Sequence, residues 1–271
     1  MKFLATIRLA LLLAAPLAVP LSLVPADVLA QPTVADVTSG FDAANVTSRD
    51  VTYPATLATN DLLVIWFVVD QNSDDASGVN SSFTTEGWSK ILDDEDPDDA
   101  VGANLWYIYN PPTGDAGTTF AVTTSNEGTA WAIFRIQGAE DPGTTAIEAT
   151  SATSVTLTPD TSPDPPTETH SAGTGDYLAL ALNGSDHTDA ITAYPSGYTN
   201  TGTAQGATAG GAIIAGWASL GVTGTDNENP GPYTLAAAEE WVTATAMIPA
   251  AAGGGGGSAP IYTNHLMRMK K

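Results

Sequence analysis

The chain has 271 residues, with 30 acidic against 8 basic side chains, a net charge of −22 and no cysteine. A surface of that sign repels phosphate backbones, which argues against nucleic acid as a partner. Without cysteine there is no disulfide framework, thiolate metal centre, cysteine nucleophile or lipid-bearing thiol, so an apolar core alone has to stabilise the fold.

Residues 1–30 have the order of a signal peptide: Lys2 and Arg8, an apolar stretch from Leu9 to Val24, then Val28-Leu29-Ala30 before Gln31. Pro16, Pro20 and Pro25 interrupt the apolar run, whereas a span needs about 20 apolar residues in unbroken helix. The expectation is a secreted or cell-surface protein with no stable membrane span. Between residues 31 and 252 the only basic side chains are Arg49, Lys90 and Arg135, against 29 acidic ones, a net charge of −26. Such a body favours divalent cations or saline surroundings.

The body carries almost no helical periodicity. Short runs of Thr, Val, Ile and aromatic residues recur between Gly, Pro, Asn and Asp, the pattern of an all-β sandwich or barrel. The first half predicts strands at Arg49 to Tyr53, Asp61 to Val69, Trp88 to Leu92, Ala103 to Tyr109, Thr118 to Thr124 and Thr129 to Ile136. The second predicts Ala152 to Thr158, Tyr177 to Leu182, Tyr198 to Thr203, Ala212 to Ser219, Tyr233 to Ala237 and Trp241 to Ile248. Leu62 to Val69 is apolar at every position, so both of its faces should be covered, as in a central strand or one under a loop or second subunit. Trp66, Trp106, Trp131, Trp217 and Trp241 read as core residues.

The two halves repeat one order. Asn60-Asp61-Leu62-Leu63-Val64, Gly87-Trp88 and a segment led by Trp131 are echoed by Gly175-Asp176-Tyr177-Leu178-Ala179, Gly197-Tyr198 and a segment led by Trp241. The fold class expected is therefore all-β: a jelly-roll-like β-sandwich built from two pseudo-repeats of antiparallel strands, about 45–145 and 146–250, within a domain covering 31–252. Pro159 to Pro166 is stiff and polar, as a linker would be, but strand residues flank it, which favours one sandwich whose halves each contribute strands to both sheets. Residues 253–271 form a glycine-rich linker and a basic, partly apolar tail ending Arg268-Met269-Lys270-Lys271.

Chemistry is sparse. The body holds only His170 and His187, and no Gly-x-Ser-x-Gly elbow occurs, so no catalytic residue is assigned. Abundant carboxylates, Glu148, Glu168, Glu239 and Glu240 among them, leave a secreted glycoside hydrolase as an alternative, since that reaction needs two acids about 5 to 10 Å apart. Asp70-Gln71-Asn72-Ser73-Asp74-Asp75 repeats oxygen ligands like the first part of a calcium loop, making Asp70, Asn72, Asp74 and Asp75 candidate Ca²⁺ ligands. Asp75 stands where such a loop turns on glycine, however, and the acidic run Asp93 to Asp99 would have to complete the site. No cofactor is required. Trp88 and Tyr198 each follow a glycine at a loop-to-strand junction and are candidate stacking platforms for a glycan, the lectin-like alternative.

Asn60-Asp61-Leu62-Leu63-Val64, Gly87-Trp88, Pro163-Asp164-Pro165-Pro166, Gly175-Asp176-Tyr177-Leu178, Pro195-Ser196-Gly197-Tyr198 and Trp241-Val242-Thr243-Ala244-Thr245-Ala246 together resemble a family of β-sandwich proteins from bacteriophage and prophage structural regions and related bacterial surface proteins. The resemblance spans about residues 45 to 250 and rests on turns, strand starts and core aromatics. It implies a non-enzymatic structural or adhesive component, fibre- or decoration-like, that associates with copies of itself or with neighbouring surface or virion subunits. The leader departs from the phage pattern and favours an exported bacterial relative. No functional residue is carried across, because the shared positions are structural.

Overall fold

The computed structural model describes residues 31–42, 47–70, 76–97, 100–124, 128–154, 158–186, 190–206 and 212–251. The signal-peptide segment, the glycine-rich tail, His187 and the candidate calcium ligands Asn72, Asp74 and Asp75 lie outside the described residues. The first half contains β1 (Thr33–Asp42), β2 (Ser48–Thr52), β3 (Leu62–Val69), helix α1 (Ala76–Thr85), β4 (Ser89–Glu95), β5 (Gly102–Tyr109), β6 (Thr119–Thr123) and β7 (Thr129–Gln137). The second contains β8 (Glu148–Thr153), β9 (Glu168–Thr169), β10 (Gly175–Asp186), β11 (Ile191–Ala193), β12 (Thr199–Gln205), β13 (Ile213–Thr225), β14 (Asn227–Glu228), β15 (Thr234–Leu235) and β16 (Trp241–Pro249). The fold is an all-β sandwich of two five-stranded antiparallel sheets.

The two five-stranded sheets share one wiring, and the second half adds the ribbon β11-β15. The first sheet runs β1-β7-β3-β5-β4 and the second, taken in the matching direction, β8-β16-β10-β13-β12. The ribbon β2-β6 has its counterpart in β9-β14. Each half therefore makes one whole sheet. This corrects the expectation that each half would contribute strands to both. The pairs range from the neighbouring β4 and β5 to the distant β1 and β7, and every one closes within a repeat.

The sheets meet through alternate residues. Leu62, Val64, Trp66 and Val68 of β3 face Leu178, Leu180 and Leu182 of β10 in a shared core that also takes in Phe134, Trp217 and Val242. The Trp66 indole donates across it to the Asn183 carbonyl at 3.1 Å. The sheets come so close at one point that a Cβ on Gly184 would lie 2.7 Å from Val68 Cγ1. The other face of β3, Leu63, Ile65, Phe67 and Val69, lies under a second cluster with Val79 and Phe83 of α1, Phe120 and Trp131. Both faces of this strand are thus covered, as its uniformly apolar sequence requires.

Parity also corrects the alignment of the repeats. Matching Asp61 with Asp176 would set Leu62 opposite Tyr177, but Leu62 points into the shared core and Tyr177 to the outer face; Leu178 is the true equivalent. The register irregularity here lies on the partner strand, where Gly224 is bulged out between the partners of Gly175 and Asp176. One residue of slip inverts every side chain of a strand, so burial decides where identity misleads.

Helix α1 was not expected in the acidic stretch between residues 70 and 99. Its Ser, Thr and Gly are weak helix formers, and only Val79 and Phe83, four residues apart, mark an apolar face. Packing holds it: the Phe83 ring stacks on Trp106 at 5.3 Å and meets Phe67 edge-on at 5.6 Å.

Candidate functional site

Strand registers place the chain's acidic connections together. Asp42, Thr129, Val69, Gly102 and Glu95 form one row across the first sheet, and Thr153, Val242 and Gly184 a corresponding row of the second, next to Ser185, Ile214 and Gln205. The Val68–Gly184 approach puts both rows at the same end of the sandwich. Asp42, Asp70, Asp93 to Asp96 and Asp186 are all found there, on or just beyond these rows.

At that end the two edges of the sandwich can be compared residue by residue. β4 lies against β8 on one edge and β12 against β1 on the other. The Asp96 amide donates to Val101 and the Gly206 amide to Ile213, at 2.9 and 3.1 Å, which identifies Asp96 with Gly206. Ser154 sits beside Trp241 as Asp42 sits beside Thr129, and Trp241 and Thr129 pair in turn with the equivalent Ser185 and Val69, which identifies Ser154 with Asp42. At the β4/β8 edge the Ser154 hydroxyl donates to Asp96 Oδ2 at 3.1 Å, and the Ala100 amide donates to Asp96 Oδ1 at 2.8 Å. Asp96 is fully buried and this edge is closed. Outside Ser154 lies a hollow of about 440 Å³, lined by Ser154, Thr158, Pro159, Asp160 and Trp241.

At the β1/β12 edge, Gly206 stands in place of Asp96, and Asp42, in place of Ser154, pairs with Arg49. The result is a cleft of about 510 Å³ lined by Ser39, Gly40 and Phe41 on one strand and Thr203, Ala204 and Gln205 on the other. Phe41 is 52% exposed, the single exposed large apolar side chain among the described residues. Sequence reading passed over Phe41 because a lone aromatic in an edge strand carries no motif. The signal lay in Gly206, seen to replace Asp96 only once the repeats are aligned by structure.

Trp88 and Tyr198, the expected stacking platforms, are both inside the fold, 3% and 9% exposed. They are equivalent, each following a glycine with left-handed backbone, φ 85° at Gly87 and 86° at Gly197. That turn swings the ring inward, not outward. Trp88 donates to the Tyr53 hydroxyl at 3.3 Å, and the Tyr198 hydroxyl donates to Glu228 at 3.1 Å. Burial pushes the Tyr53 phenol up to about 12. Burial, reinforced by the Glu228 carboxylate, drives Tyr198 higher still. Neither ring offers a face to a sugar, which corrects that assignment.

The repeated aspartates are structural and unequal. Asp61, almost fully buried, accepts from Arg135 Nε and from the Ala58 amide, both at 2.6 Å, behind Asn60 in the left-handed region. The Asp176 carboxylate accepts from the Gly224 amide at 3.2 Å on the exposed surface.

Other polar groups have equally specific places. His170 is buried; its Nε2 lies 2.9 Å from the Ala146 carbonyl and its Nδ1 accepts from the Ala172 amide at 3.2 Å. That pattern has Nε2 donating and the Nδ1 lone pair engaged, so His170 is not placed to take a proton from Ser171. The Ser171 amide and hydroxyl both donate to Glu148. Burial opposes ionisation of Glu148, but these bonds from Ser171 hold its carboxyl below the ordinary range. Glu168 accepts from Thr150. Glu148 lies alongside Met247 and Glu239 precedes Trp241, at opposite ends of β16, about 20 Å apart at strand rise and too far for a glycosidase pair. Asp70 donates its amide to Gly128 at 2.9 Å at the acidic end. Among the described residues no three acidic or histidine side chains converge as a metal ion would require, and no helix there is long and apolar enough to cross a membrane.

No protein-family model, curated protein or solved structure matches this chain.

Proposed function

We propose that this protein is a non-enzymatic, exported structural or adhesive module that presents one end of a doubled sandwich to its partners, whether copies of itself, neighbouring surface or virion-type subunits, or glycans. The observation that carries this reading is the asymmetry of the acidic end: two identically wired sheets, one edge latched by Asp96 and Ser154, the other open at Phe41. A shared core with both faces of β3 buried gives a stiff scaffold, which suits display of contacts at the strand ends. The fully bonded His170 supports a structural role for the body's polar groups. The likeness to phage-type and bacterial surface sandwiches agrees with this reading.

The test is to measure the mass of the full chain by light scattering, with and without Ca²⁺, and its retention on bacterial cells and purified envelopes. Assembly beyond a monomer, or saturable retention on a surface, is the expected result. A strict monomer under all conditions with no retention on any surface, or turnover of a polysaccharide, would overturn the reading.

A further inference from the structure

We infer that the cleft between β1 and β12 binds one neutral sugar ring of a glycan, with Phe41 stacking on its apolar face; this rests on the adhesive reading above. Its volume of about 510 Å³ falls in the range of small-ligand sites, which pair an apolar surface with a few placed polar groups. Here the apolar surface is Phe41, and the Ser39 hydroxyl and the strand backbone of β1 and β12 supply the polar rim. A pyranose has the matching chemistry: C–H bonds clustered on one face, and hydroxyls around the rim that both donate and accept.

Charge selects a neutral sugar. None of the six lining residues is ionisable, in a chain of net charge −22, so a sialylated or phosphorylated glycan would be repelled and a cation would find no carboxylate on the lining. The contrast with the other edge is informative. Thr203, Ala204 and Gln205 stand where the first half has Asp93, Asp94 and Glu95, as the pairing of Asp93 with Asn104 and of Thr203 with Gly216 in equivalent strands shows. The second half thus has three uncharged residues at the cleft where the first half has three consecutive carboxylates. The β4/β8 edge shows that the same architecture can close, so the opening is a property of the β1/β12 residues and not of the fold.

The test uses the full chain titrated with soluble neutral oligosaccharides of glucose, galactose, mannose, xylose and N-acetylglucosamine, followed by amide chemical shifts and calorimetry. At least one should saturate, with shifts centred on Ser39 to Asp42 and Thr203 to Gly206. F41A should weaken it about tenfold or more, while F41W, which keeps an aromatic face, should retain it. Absence of saturation with every oligosaccharide, or affinity unchanged in F41A, overturns the inference. If no sugar binds and F41A instead lowers the mass in light scattering, the edge is a contact between copies; the sugar site then falls while the adhesive reading stands. Shortening of the bound oligosaccharide by the wild-type chain would have the opposite meaning, overturning the non-enzymatic reading and leaving the sugar site in place.

Discussion

The β4/β8 and β1/β12 edges occupy equivalent places in a duplicated architecture, yet one is latched and charged while the other is open and neutral. Three positions mark the difference in closure and polarity: Asp96 against Gly206, and the exchange of Asp94 and Glu95 for Ala204 and Gln205. Strand pairing is set by backbone bonds and alternating apolar residues, which both halves keep. The edges lie outside that constraint, so a few side chains can give one copy a site without disturbing the sheet.

The largest effect expected from comparing the halves lies at the repeated aspartates. Asp61→Ala strands the Arg135 guanidinium, 13% exposed, and should cost about 3 kcal/mol in chemical denaturation. Asp176→Ala removes a bond on the exposed surface and should cost about 0.5 kcal/mol. Equal losses would mean that the two motifs do the same work. Next comes the latch: Asp96→Ala frees the Ser154 hydroxyl and the Ala100 amide, with an expected loss of about 2 kcal/mol and amide shifts at residues 100 and 154. Retention of full stability would show that the closed edge does not depend on this carboxylate.

Alkaline titration bears on both halves together. Burial raises Tyr53 in the first half and Tyr198 and Tyr233 in the second. A raised folded value favours the protonated phenol, so this stability is intact below the ordinary tyrosine value near 10 and falls as pH climbs through the folded values, about 12 for Tyr53. Denaturation midpoints should drop between pH 10 and 12 as tyrosinate absorbance grows; constant midpoints across that window would contradict the buried placement. The smallest effect on stability belongs to Phe41→Ala, about 0.5 kcal/mol or less, because half of that ring is already in water.

Much of the architecture was legible in the chain. The all-apolar run Leu62 to Val69 is a central strand covered on both faces, and the turn glycines Gly87 and Gly197 do start matching strands. Helix α1 was not legible, since ten residues rich in Ser and Thr take their helicity from Phe83 packing on Trp106. β1 was missed because its residues are half-buried along an edge and alternate weakly. The proposed site was still harder to see. It needs Phe41 and Gly206, more than 160 residues apart in sequence, to be brought to one edge, and Gly206 to be recognised as the place where Asp96 closes the other.

By itself, the sequence determined the acidic surface, the β class, the duplication and the central position of β3, because charge count, alternation and repeated turns are local properties that survive without coordinates. Tertiary structure alone decided that each repeat makes a complete sheet, that Trp88 and Tyr198 turn inward, and that Phe41 stands at an open edge. These depend on which face of a strand meets which neighbour. Since one residue of register exchanges core for solvent, that information resides in the packing of the two sheets and not in the order of residues along either.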